Sequence, residues 1–479
     1  EIRLSLVGSE MCIRDRLKDE RRSGMKNKKI DMLNGPLVGK IVIFALPLAL
    51  SSILQQLFNS ADLAVVGRFD SDKAMAAVGS NSSLVNLIVS LFLGLSVGAN
   101  VVVARLIGQG RKDKANEAVH TVVLLAVISG FIILGVGEIL APILLGMMNV
   151  PDDVLKLATL YLRIFFFAMP FIEIYDFGSA VLRSKGDSTR PLYALITAGV
   201  INVILNLVFV IVFKMGVAGV ATATVISNFF SACMILYFLT HEEEMLRLDF
   251  RKLRIRWKYL LGIIKIGLPA GLQSMVFSLS NVVIQAAINS FGSDGIAGST
   301  AEQNFEFMAY FVINAFAQTA TTFTSQNFAA QDKERCKKIY RLCTFIGLAS
   351  CLGLSLIFLI GRHLFIQIFS TDENVIHYAM IRMWSVCLLE LLTGVYEISG
   401  GCLRGMGHSM TPAVITVLGT CVFRLVWVNT IYAAHRSYLM LMIVYPVSWV
   451  ITGTAVTVAY FIIRRKEFAQ IGKRRADII

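Results

Sequence analysis

Four polar side chains interrupt the first long apolar run of the chain. Ser52, Gln55, Asn59 and Asp62 lie three to four residues apart within IVIFALPLALSSILQQLFNSADLAVV, Ile41 to Val66. On a helix they share one face. The run is long enough to cross a bilayer, which takes about 20 apolar residues. A carboxylate near the middle of such a helix costs roughly 2.5–3.5 kcal/mol on insertion scales. A stripe of this kind cannot face lipid, so it faces other helices or a wet cavity. Two readings stay open: Asp62 holds an ion or a proton, or the stripe is a buried polar seam that joins helices. Pro47, 15 residues before Asp62, removes one backbone hydrogen bond and permits a kink. Its counterpart Pro269 reads as structural.

Other ionisable residues sit in later apolar runs. Glu173 and Asp176 are three apart and lie on neighbouring helix faces. Glu302, Glu306, Glu390, Glu397 and Arg424 follow in the second half of the chain. An unpaired buried arginine is costly, so Arg424 is expected to pair with Glu397 or Glu390 and order its surroundings; the alternative places it in a substrate wall. With Gln55, Asn59 and Glu173 these residues make the candidate lining of a substrate cavity. Gly94-Leu-Ser-Val-Gly98 spells G-x-S-x-G, but a hydrolase elbow needs a strand–turn–helix setting. Inside an apolar helix the two glycines read as a close-packing G-x-x-x-G. There is no P-loop and no HExxH, so neither ATP-driven pumping nor zinc hydrolysis is suggested. The aromatic residues Phe165–Phe167, Phe305, Phe307 and Tyr310 read as packing or lipid-facing groups.

The elements that hold these residues follow from composition. The chain has 479 residues, 56% hydrophobic and only 16% charged, where a soluble protein carries about 25% charged. It reads as an all-α integral membrane protein; a barrel would show short alternating segments. Twelve hydrophobic segments fall near 40–66, 75–105, 115–147, 154–182, 190–213, 217–240, 259–291, 296–330, 337–369, 375–403, 411–433 and 437–463. The net charge of +13 sits mostly in alternate loops, for example Arg105, Arg111, Lys112 and Lys114, or Lys333, Arg335, Lys337 and Lys338. That alternation is topology control and puts both termini in the cytoplasm; it does not imply a nucleic-acid partner. Cys233, Cys343, Cys351, Cys387, Cys402 and Cys421 lie in apolar runs with no CxxC pair, and read as small hydrophobes.

The two halves repeat. A shift of 222 residues lays Leu46-Pro47 on Leu268-Pro269 and Asn59 on Asn281; a shift of 221 lays LRSKGDSTRP (Leu182–Pro191) on LRGMGHSMTP (Leu403–Pro412). Each half has an even number of segments, so the halves share one orientation and should be related by an axis along the membrane normal. Their chemistry differs. Asp62 falls on Ile284 and Gln55 on Phe277.

Two six-segment halves, LP in segments one and seven, FNSADLAVVGRF in segment one and L-R-x-x-G-x-S-x-x-P after segments four and ten together resemble the multidrug and toxic compound extrusion (MATE) transporters, with a pattern closer to the DinF-like branch than to the NorM-like one. The resemblance implies twelve transmembrane helices in two pseudo-symmetric lobes. It also implies a secondary antiporter that exports organic cations or amphiphilic drugs in exchange for H⁺ or Na⁺ by alternating access, and not an enzyme. Asp62 matches the family's segment-one carboxylate, which binds the coupling cation. Asn202 and Asn206, in GVINVILNL, match an Asn-x-x-x-Asp pair whose second member is here an amide. One family carboxylate is therefore missing, which favours H⁺ over a Na⁺ shared by Asp62 and Asn202, since an amide compensates a cation less well. Thr224 and Tyr161 match further polar positions of the same pocket. Asp176, where many relatives have Asn, is expected to restore the lost charge, and Pro47 to be the hinge at which segment one bends. The acidic residue of NorM-like members in segment seven is absent; Phe277 or Ser278 stands there.

The expected layout is an amino-terminal lobe over 25–240, a cytoplasmic linker over 241–258, a second lobe over 259–463 and a basic cytoplasmic tail over 464–479. Residues 1–24 read as non-native: Glu1–Arg16 looks like translated sequencing-adapter DNA, with a natural start at Met25. The expected setting is the cytoplasmic membrane, as a monomer among lipids, with small amphiphilic or cationic substrates, no nucleic acid and no cofactor beyond the coupling ion. Two other classes stay open: a lipid-linked saccharide flippase, which would want a basic central cavity, and a non-transporting membrane receptor, which would not need a repeat.

Overall fold

The computed structural model describes residues 30–147, 152–367 and 369–476. The proposed non-native segment 1–24 and Met25 lie outside the described residues. Apolar runs with no interior helix breaker except proline fold into long helices, because every backbone polar group must be satisfied within the segment. Span one is Leu37–Phe69, span two Asp72–Gly108 and span three Lys112–Met147. Span four is two helices, Asp152–Phe166 and Met169–Ser184, bent by 47° at the break. Span five is Thr189–Leu207, continued by a π-helical turn over Val208–Val212, and span six is Gly216–Thr240. Spans seven to nine are Trp257–Asn289, Gly292–Ala329 and Lys333–Ile360. Span ten joins Glu373–Ser385 to Leu391–Gly405, span eleven runs from Met410 to Tyr432, and span twelve is Tyr438–Ala476.

Ten of these helices, and the bent pair of span four taken as one, are long and apolar enough to cross a bilayer. Span eight has the length, 38 residues, but not the hydropathy. Its sequence TATTFTSQN carries buried Thr319, Thr321, Thr322, Thr324, Ser325, Gln326 and Asn327. It can be polar because it packs against spans one, two, nine and ten. The outer surface is the reverse: Ile139, Phe345 and Ile360 are 72–78% exposed, as suits a face solvated by acyl chains.

The lobes meet in the half of the molecule that carries the basic loops. Spans two and seven pack backbone to backbone through glycine. A Cβ on Gly94 would sit 2.1 Å from the Gly271 nitrogen, and one on Gly98 2.4 Å from the Ile263 carbonyl oxygen. Thr322 donates to Asn100 at 2.9 Å, Gln326 to the Ser184 carbonyl at 2.5 Å, and Arg105 to the Gly405 carbonyl at 3.2 Å.

Spans one and seven cross between the lobes. The first part of span one (Ile41, Phe44, Ala45, Leu48) joins the core of the second lobe, with Phe44 edge-on to Phe323 at 5.5 Å. Its last part (Val65, Val66) joins the core of the first lobe. Span seven does the converse, with Tyr259 and Ile263 in the first lobe and Ile284 and Ile288 in the second. The lobes therefore exchange the basic-side halves of their opening helices, and Pro47 lies near the end of the part of span one that packs in the second lobe, just before Leu48 and Ala49.

The linker is docked, not free. Leu246 and Leu248 are buried in the first lobe, and Asn116 donates to the Glu244 and Arg247 carbonyls at 2.9 Å. Glu242 pairs with Lys185 and Arg190 of the loop after span four.

Candidate functional site

Asp62 sits one turn before Val65 and Val66, which anchor the end of span one in the first lobe. It is 9% exposed. Asn206 Nδ2 donates to its Oδ1 at 2.5 Å and to Asn202 Oδ1 at 3.2 Å; Asn202 Nδ2 in turn donates to Thr224 Oγ1 at 3.4 Å. Asn202 and Asn206, one helical turn apart on span five, present both amides to one side, and a widened π turn starts two residues after Asn206. Such turns often mark functional sites. Tyr161, buried on the first half of span four, stands within electrostatic reach of Asp62. Asp62, Asn202, Asn206, Thr224 and Tyr161 thus form one site from four spans. Among the described residues no lysine, arginine or histidine pairs with Asp62. Among the described residues its carboxyl accepts from one amide N–H, that of Asn206.

The amide oxygen of Asn206 is buried without a partner. An oxygen-rich set with one carboxylate can neutralise a single positive charge. Removing Asn206 takes away the donor that holds both Asp62 and Asn202. Asn206→Ala is expected to lower thermal stability by about 1–3 kcal/mol, the cost of stranding a buried acceptor, and to weaken coupled export about tenfold. Thermal unfolding and vesicle efflux measure the two effects separately.

Asp176 does not join this site. It lies on the second half of span four, beyond the 47° break, 15 residues after Tyr161, or roughly 20 Å along a helix. Its electrostatic partners are Arg183 and Glu173, so it does not restore the charge missing beside Asp62. Gln55 and Asn59, two turns and one turn before Asp62, are exposed, while Ser52 donates back to the Leu48 carbonyl at 3.3 Å.

Two cavities carry the other candidates. A cleft open to solvent lies between the lobes and is lined by Arg183, Gln273, Gln318, Glu397 and Arg404, with Tyr310 on its wall. Arg183 donates across the lobes to Gln318 at 3.2 Å, and Arg404 donates to Gln273 at 3.0 Å. The second cavity, about 450 Å³, lies within the second lobe and is lined by Glu306, Glu390 and Arg424. Glu173 and Glu302 line neither; Glu302 is fully buried.

The expected pairing of Arg424 is not what forms. Arg424 donates to Asn281 at 3.0 Å and Ser448 at 3.3 Å, and lies 4.3 Å from the Tyr445 ring centre. Glu397 faces Arg404 at 3.8 Å instead. Glu302 and Glu306 are taken by Arg382, each at 2.8 Å, with Ser299 at 2.6 Å. Arg382 was missed from sequence. It stands near the start of span ten, where a long cation can be read as reaching back to the membrane surface, yet it is 1% exposed.

A family model described as MatE matches residues 47–208 and 269–428. The chain is 26% identical over 386 residues to a protein of Bacillus subtilis named probable multidrug resistance protein YoeA, covering 78% of this chain and 82% of that one. It is 25% identical to a Thermotoga maritima protein named probable multidrug resistance protein NorM, covering 81% and 84%. A solved structure described as the outward-facing conformation of a multidrug resistance MATE family transporter of the MOP superfamily superposes with a TM-score of 0.84, at 22% identity, covering 93% of this chain and 99% of that one.

Proposed function

This chain belongs to the MATE family of multidrug efflux transporters, and from that premise we propose that it is an antiporter exporting cationic or amphiphilic small molecules in exchange for H⁺. One observation carries the reading: Asp62 is buried with no cationic partner among the described residues, on a helix whose two parts belong to different lobes. An uncompensated buried carboxylate is unfavourable until it takes up a proton or a cation. Its occupancy therefore changes how the end of span one sits in the first lobe. The beginning of the same helix is fixed in the second lobe as far as Leu48 and Ala49, and Pro47 near the end of that part gives a place to bend.

The steps follow. With basic loops in the cytoplasm, the interlobe contact closes the cytoplasmic side and the cleft opens outward. A proton from outside neutralises Asp62, substrate leaves, and the lobes reopen inward. Each ligand drives the cycle only through its preference for one of the two states. Na⁺ is the second candidate ion, but the set around Asp62 offers one carboxylate and otherwise amides and hydroxyls. The flippase reading wants a basic cavity; here Glu397 faces Arg404, and Asp176 is near Arg183.

The test is efflux of a panel of fluorescent cations and neutral amphiphiles from protein-loaded vesicles. Under an imposed pH gradient, export of at least one compound is expected to rise about tenfold over empty vesicles, and a Na⁺ gradient is expected not to replace it. Export driven equally by Na⁺ with no pH gradient would overturn the choice of ion; no gradient-driven efflux at all would overturn the reading.

A further inference from the structure

We propose that the second lobe holds a ligand site of its own that takes a zwitterionic group, its carboxylate or phosphate on Arg424 and its ammonium on Glu390. The site lies between spans seven and eleven, the repeat counterparts of the two spans that meet at Asp62, but it is built from different positions and carries an arginine. In the first lobe spans one and five meet through Asp62 and Asn206. In the second, spans seven and eleven meet through Asn281 and Arg424, where the guanidinium donates to the amide oxygen at 3.0 Å. Span eleven has π turns at Val417–Val422 and Val428–Tyr432, on either side of Arg424, and the second falls on the π turn that follows Asn206.

Two ionisable side chains in this pocket each keep an atom without a partner among the described residues. Arg424 is 1% exposed, and its Nη2 has no hydrogen-bond partner among the described residues. Glu390 is 3% exposed; Thr393 donates to its Oε1 at 3.2 Å, and its Oε2 has no partner. Both line the same cavity, and they do not approach within the 4.0 Å of an ion pair. The lobe can pair an arginine when it serves structure: Arg382, 5.5 Å from the Tyr445 ring centre, has two carboxylates and a hydroxyl. Arg424 and Glu390 are held apart where a direct pair would have been the simpler solution.

The chemistry of the cavity selects the ligand. A planar guanidinium with free N–H groups suits carboxylate or phosphate. Phe277, Tyr396 and Trp449 add aromatic rings to the lining, and rings beside an acid suit an alkylated ammonium. A plain cation would leave Arg424 open and a plain anion would leave Glu390 open; a zwitterion satisfies both. Tyr310 lines this cavity and the interlobe cleft, so the site adjoins the route a substrate would take.

The inference goes beyond the export reading and is tested without a gradient. Calorimetric titration of the purified full chain in detergent compares N,N,N-trimethylphenylalanine, its methyl ester, 3-phenylpropionate and glycerophosphocholine. The expected result is binding of the free amino-acid betaine, of the phosphocholine, or of both, at least about tenfold tighter than the ester or the acid alone. The betaine alone assigns a soluble zwitterion, and the phosphocholine alone a lipid headgroup. Arg424→Gln is expected to weaken that binding at least tenfold, Arg424→Lys to keep part of it, and Glu390→Gln to remove the preference for the zwitterion over the acid. Unfolding temperatures close to that of the unaltered protein establish that the variants are folded. Equal binding of ester and betaine, no binding of any probe, or undiminished binding in folded Arg424→Gln overturns the proposal. Probe binding and gradient-driven export are read in separate assays, so failure here leaves export untouched and failure of export leaves this site standing.

Discussion

Asp62→Asn is expected to give a folded transporter that no longer exports against a gradient. The substitution keeps the shape of the side chain and an acceptor for Asn206 Nδ2, which lies 2.5 Å from Oδ1. It removes the one carboxyl among the five residues of the site. A buried carboxylate without a cationic partner is replaced by a neutral amide, so thermal stability should be kept or raised. Without a change of charge, the end of span one has no reason to sit differently in the two states. Coupling free energies run to about 1–3 kcal/mol, and losing the upper part of that range lowers gradient-driven export about 100-fold. Vesicle efflux under a pH gradient, set beside the unfolding temperature of the same preparation, gives both readings. Unchanged export would sink the coupling role of Asp62, whatever the substrate.

Arg382→Ala is expected to damage stability more than any other single change in the second lobe. Arg382 is 1% exposed, and it faces Glu302 and Glu306 at 2.8 Å each. Glu302 lies fully inside the protein. Removing the arginine leaves two buried carboxylates with no cation and a void where the guanidinium stood. Breaking a buried pair from one side costs roughly 3–5 kcal/mol. Replacing all three together, as Arg382→Met with Glu302→Gln and Glu306→Gln, removes the stranded charges and should recover most of that loss. Unfolding temperatures of the single and triple variants decide the matter. If the triple variant is no more stable than the single one, the network does more than satisfy its own charges.

Much of the architecture was legible in the residues. Apolar runs of membrane length fix helices, because a bilayer offers no partner to a bare backbone group. The polar span eight did not hide from this reading, since its small and hydroxylated residues still sit in a run of the right length. The matches of Leu46-Pro47 with Leu268-Pro269 and of the LR-x-x-G-x-S-x-x-P loops set the two halves in register. Gly94 and Gly98 sit where a helix backbone comes too close for a Cβ. That spacing is a local property and so is visible in one stretch of chain.

Partners across space were less accessible. The sequence by itself determined that Asp62 is the lone acid of the first span and has no equivalent in the second half, where Ile284 stands. It also determined that the chain is built of many apolar helices of membrane length. Only the tertiary structure decided which charge meets which. Asp176 lies beyond the 47° bend after Phe166, away from Asp62, on the same helix as Arg183 and two turns before it. Arg382 takes the two glutamates of span eight, and Arg424 is left to an amide, a hydroxyl and a ring. Helical spacing says which residues share a face, but a face has several neighbours. Which neighbour it meets depends on bends and crossings, such as the exchange of spans one and seven between lobes, that arise from the packing of the whole bundle.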